Sequence, residues 1–119
     1  MNYLPQEIEV WFVIPALRRD FAKIMKDEGL KQLEISKLLG ITVPAVSQYI
    51  TGKRGRDIIF PKEITIEIKK ATIKIIKNKA NFAFELQRIC RLIRKKGYLC
   101  NIAKNYHVVN DNCNICMKN

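Results

Sequence analysis

Between Gln32 and Gly52 the chain reads QLEISKLLGITVPAVSQYITG, and its apolar positions fall into two helical repeats separated by a glycine. Ile35, Leu38 and Leu39 share one face of a helix beginning near Lys31, and Ala45, Val46, Tyr49 and Ile50 share one face of a second beginning near Val43. Gly40 can take the left-handed conformation that lets the chain reverse within a few residues. The Thr42 hydroxyl can cap the second helix, whose first turn tolerates Pro44 because the donors there have no intrahelical partner. Gly52 closes it.

The pattern on either side is also helical. Pro5 is expected to start a short helix reaching Val13, and Pro15 to break the pattern and open another that ends at Gly29, with Leu17, Phe21, Ile24 and Met25 as its buried stripe. Trp11, Phe12, Val13 and Ile14 are too many apolar neighbours for one helix face, so they serve either the core or a dimer contact. Residues 61–78 carry two signals. The alternation of Ile64, Ile66 and Ile68 suits a strand, whereas Ile64, Ile68, Ala71 and Ile75 repeat at helical spacing. Pro61 as a first-turn residue and the lack of a hairpin turn favour a helix. From Asn81 to Lys96 a helix is clear, with Phe82, Leu86, Ile89 and Ile93 on one stripe and Gly97 as the stop. The expected fold is all-α, five to six helices followed by a short irregular cysteine-containing tail.

Two apolar-faced helices across a tight turn make a helix-turn-helix. The order of Gln32, Gly40, Ile41, Val46, Ser47 and Gly52 resembles the Cro and C1 repressor type of that motif, over the stretch from about Lys31 to Gly52. A wider resemblance, through Tyr3, Leu4, Pro5, Trp11, Pro15, the YITGKRG run from Tyr49 and ICRLIRKKG before a cysteine, is to a group of archaeal predicted transcriptional regulators. Lys31 departs from the pattern, since the family usually offers a serine or similar cap there.

The resemblance implies that the second helix enters the major groove N-terminus first. Val43, Pro44, Ser47 and Gln48 then face the bases, flanked by Thr42 and Thr51, and Gln48 has the amide geometry for adenine. Lys53, Arg54 and Arg56 follow closely enough to reach phosphates, and the resemblance adds Gln32 as a phosphate clamp. The competing explanation, that these helices are only part of a helical core, leaves the coincidence of turn, cap, polar outer face and basic exit unexplained. The implied organisation is a helix-turn-helix domain at 1–58 and a helical C-terminal region at 59–119. The implied partner is double-stranded DNA, bound by a homodimer.

Charge agrees. The chain holds 22 Lys and Arg against 11 Asp and Glu, a net charge of +11 that suits a polyanionic partner. Most of the excess lies beyond the motif: residues 61–119 carry thirteen basic and four acidic side chains, residues 30–56 five and one, and residues 1–29 four and five. Lysine-rich helix faces are often merely solvated, and Lys, Ile and Glu enrichment also marks proteins adapted to heat. The start, MNYLPQEIEV, lacks the basic residues of a signal peptide, and the longest apolar run, Val10 to Leu17, is too short to cross a bilayer. A cytoplasmic protein without membrane contact is expected.

Four cysteines, Cys90, Cys100, Cys113 and Cys116, fall in the last 30 residues. In a reducing compartment such clustering suggests metal ligation, with Cys113 and Cys116 as a knuckle and Cys90 and Cys100 completing a tetrahedral set. Zinc and an iron–sulfur cluster both fit four thiolates, the irregular spacing suiting the latter. A disulfide or free thiols is the alternative. His107, offset from the family's histidine, reads as a bystander, and Asp111 as part of a turn. No acid/base pair or nucleophile constellation indicates an enzyme. The expectation is a sequence-specific DNA-binding regulator, responsive to redox, iron or metal through its cysteines. A protein-interaction, antitoxin-like or iron-handling adaptor using the same fold as scaffold is the second reading.

Overall fold

The structure, a computed structural model, describes residues 5–55 and 58–98. Within them the chain is helical and contains no strand: α1 (Pro5–Ile8), a π-helical turn (Glu9–Val13), α2 (Ile14–Asp27), α3 (Gln32–Leu39), α4 (Val43–Ile50), α5 (Lys62–Ile76) and α6 (Phe82–Lys95).

The N-terminal segment differs from expectation in one respect: Pro15 stands in the first turn of α2, as expected, but does not break the helical path. α1, the π turn and α2 run on without interruption from Pro5 to Asp27. Proline lacks a donor, and its ring crowds the carbonyl four residues back. The π turn relieves both problems: the Ile14 N–H donates to the Glu9 carbonyl, five residues back, so the ladder is already widened where Pro15 supplies no N–H. The apolar run divides accordingly. Val13 is fully buried, Phe12 and Ile14 are half-buried, and Val10 and Trp11 remain more than half exposed.

α2 is the central helix and packs against α3, α4, α5 and α6. Its stripe of Ala16, Leu17, Phe21, Ala22 and Met25 is buried, as the spacing required, with Ile24 at the margin. Ile35, Val46, Ile64, Ile68, Ile89 and Ile93 meet it in a single core, so helices from both halves of the chain share one apolar interior. Phe21 meets Phe82 edge-to-face, with centroids 5.1 Å apart and rings at 89°.

Residues 61–78 resolve in favour of the helix: Ile64, Ile68, Ala71 and Ile75 are all buried on one face of α5, and Thr72 joins them by donating its hydroxyl to the Ile68 carbonyl at 2.7 Å. Asn78, at φ 61°, turns the chain after α5. Asn81 caps α6 by accepting the Phe84 N–H at 2.9 Å, and Gly97 at φ 79° ends it. The two helices are then tied by charge. Arg88 donates to Glu67 of α5 at 2.9 Å and to the buried Glu85 of its own helix at 3.2 Å. Glu63 receives Tyr98 Oη at 2.9 Å and lies 3.4 Å from Lys96 Nζ. That phenol, with Lys96 behind it, holds the Glu63 carboxyl below its usual range. No helix among the described residues is long and apolar enough to cross a membrane.

Candidate functional site

α3 and α4 pack against each other and against α2, and their junction follows local rules. Gly40 sits at φ 68°, ψ 34°, where the Ile41 N–H reaches back to the Ser36 carbonyl at 3.1 Å. Two residues on, the Thr42 hydroxyl accepts the Ala45 N–H at 3.2 Å and starts α4 with Pro44 in its first turn. Lys31, a poor cap by type, is compensated by Glu34, whose carboxylate accepts the Lys31 N–H at 3.0 Å.

Ile35 and Leu39 of α3 and Ala45, Val46 and Tyr49 of α4 are turned into the core, with Ile50 packed at its margin. Pro44 and Thr51 are exposed; Val43, Ser47 and Gln48 are half-buried. Thr42, beside them, and Gln32, at the start of α3, are exposed too. The Thr51 hydroxyl donates to the Ser47 carbonyl at 2.9 Å, which leaves its oxygen free only as an acceptor. Gln48 is the least settled member. Its amide oxygen is buried and makes no hydrogen bond, a situation that costs about 1–3 kcal/mol.

Gly52, at φ 81°, turns the chain away from α4, and the Gln48 carbonyl gathers the Lys53 N–H at 2.8 Å and the Arg54 N–H at 3.2 Å. Both cationic side chains are exposed, and the Arg54 guanidinium stands 5.8 Å from the centroid of the Tyr49 ring. What fixes this exit is a residue that no motif in the sequence marks. Arg19 of α2 is buried and donates to the Gly55 carbonyl while holding Asp20 at 2.8 Å. Gly55, at φ 71°, lies so close to α2 that a methyl group there would overlap the Pro15 carbonyl. The available signal was spacing: Arg19 stands three residues from Ala16 and from Ala22, on the inward side of α2. Arg56, the third expected phosphate contact, lies outside the described residues.

Of the four cysteines only Cys90 is described; Cys100, Cys113 and Cys116, with His107 and Asp111, lie outside. Cys90 is 6% exposed and lines a cleft with Glu9, Ile14, Leu86, Arg91 and Arg94. Burial above all, with the Glu9 carboxylate adding and the Arg94 cation opposing, pushes its thiol up to about 12. Glu9 and Arg94 form an ion pair at 2.8 Å that joins the π turn to α6 across 85 positions of sequence. Among the described residues no three His, Cys, Asp or Glu side chains converge to hold a metal ion. Comparison of the chain with protein-family models, characterised proteins and solved structures returns no significant match.

Proposed function

We propose that the chain is a sequence-specific DNA-binding transcriptional regulator of the Cro/C1 type, in which α3, the Gly40 turn and α4 act as the helix-turn-helix. The observation that carries this reading is the left-handed glycine, the threonine cap and the Gly52 exit occurring together. They leave α4 with a polar outer face and two exposed cations at its end. α4 would enter the major groove, with Val43, Pro44, Ser47, Gln48 and Thr51 toward the bases. Thr42, Gln32, Lys53, Arg54 and Arg56 would lie along the backbone. Two copies would read half-sites about 34–36 Å apart, as paired recognition helices require.

The test separates bases from phosphates. A binding site selected from random duplexes should be lost as a preference in Gln48→Ala, while Arg54→Ala should weaken all sequences alike and flatten the dependence on salt. Failure of the wild-type chain to enrich any sequence overturns the regulator and favours the adaptor reading.

In the C-terminal region the proposal is a metal or cluster held by Cys90, Cys100, Cys113 and Cys116. Cys90 fits in one respect: although it belongs to the core, it also lines a cleft. Zinc would clip the tail to α6, whereas an iron–sulfur cluster would supply electron transfer. Protein purified without oxygen distinguishes them by metal content and visible absorption: brown for a cluster, colourless with zinc for a clip. Equal DNA affinity of loaded and metal-free folded protein would make the site structural and remove the sensing role.

A further inference from the structure

We infer that the outward face of α5 is a docking surface for an acidic amphipathic helix of a partner protein. Opposite the buried stripe of Ile64, Ile68, Ala71 and Ile75, the helix presents Ile66 and Ile73, 42% and 44% exposed. They are seven residues apart, two helical turns on a single line, which is the spacing of anchors for a helix laid alongside. Lys62, Lys69, Lys70 and Lys77 flank that line on both sides, and all are exposed. The acidic residues of α5 offset only one of them, Lys70. Glu63 is engaged by Tyr98 and Lys96, and Glu67 by Arg88 and, at 3.9 Å, Lys70.

Charge selects the occupant. A second copy docking through its own α5 would bring the same lysines against these and be repelled. A nucleic-acid backbone would satisfy the lysines but leave two isoleucines facing phosphate, which gains nothing from covering them. A helix with leucines on one stripe and glutamates on its borders satisfies both features, since apolar burial supplies affinity and the charged edges set partner choice.

The test uses the full chain and two synthetic helical peptides of equal length. Both carry leucine at the a and d positions, one with glutamate and the other with lysine at e and g. Fluorescence anisotropy should show binding of the acidic peptide only. Ile66→Ser combined with Ile73→Ser should weaken it by about tenfold or more, as burial of two part-exposed isoleucines would predict. Lys26→Ala, on α2, should leave it unchanged. These are surface substitutions, and an unaltered thermal melt establishes that the variants fold. The inference is overturned if the double isoleucine variant binds as well as wild type, or if random-sequence duplex displaces the peptide while the isoleucine change has no effect. It stands or falls independently of sequence-specific DNA binding, which the Gln48 experiment addresses.

Discussion

The α3–α4 unit and the long N-terminal helix are built from equally strong local signals, yet only one obeys them in full. At Gly40, Thr42 and Gly52 the residue types dictate the conformation found, because each supplies a backbone angle or a hydrogen bond that nothing distant needs to supply. At Pro15 the local signal is only half obeyed, since the proline stands in the first turn of α2 without stopping the helical path before it. The π turn absorbs the missing donor, and the reward is tertiary: one uninterrupted helix carries Val13, Leu17, Phe21 and Met25 through the middle of the core. The first region should therefore be cheap to damage by single substitutions, and the second expensive.

Four measurements sharpen or break that contrast. The largest effect is expected at Gly55→Ala, which joins a positive φ to an overlap with the Pro15 carbonyl. A loss of about 3 kcal/mol or more in denaturant unfolding is expected, from backbone strain plus displacement of the loop. A loss below about 1 kcal/mol would mean that the contact with α2 is dispensable. Next, Glu9→Ala strips the partner from Arg94 and unfastens the π turn from α6. Removing one member of a fully buried pair costs about 3–5 kcal/mol. Arg94 keeps a third of its side chain in solvent, so about 2 kcal/mol is expected here. Thr42→Ala removes only a cap and should cost about 1 kcal/mol, with the helical content of the rest unchanged by circular dichroism. If it costs more than Glu9→Ala, the contrast is inverted.

The smallest effect concerns Cys90 in metal-free protein. Its thiol keeps its proton in the folded state to about 12, whereas in the unfolded chain it ionises near its ordinary value. The raised folded value means that this contribution to stability is complete below the unfolded pKa and is lost as pH climbs from there toward 12. Stability compared with Cys90→Ala should thus be flat from pH 6 to 8 and fall only above about 9. Iodoacetamide should leave the thiol unmodified at neutral pH in the folded state. Rapid alkylation there would show that the cleft is more open than the geometry implies.

These contrasts also explain what could be read from the sequence. Buried stripes of α5 and α6 were legible because isoleucines and Phe82 recur at helical spacing, and the ends were legible because Pro61, Asn81 and Gly97 act on their immediate neighbours. In the candidate site the same holds for Gly40, Thr42 and Gly52. Not legible were the pairs that depend on folding: Glu9 with Arg94, Glu67 with Arg88, and Arg19 with Gly55. Each joins side chains or backbone tens of positions apart, and no periodicity records which charged residue will be turned inward. The orientation of Gln48 belongs with them. Its position on α4 follows from spacing, but the burial of its amide oxygen does not.

Arg19 offers one more consequence. By grasping the Gly55 carbonyl it ties the backbone that follows Lys53 and Arg54 to α2 before anything arrives. The freedom of that loop has already been surrendered during folding. An anion meeting it would need to order only the two side chains, so association should carry a small entropic penalty.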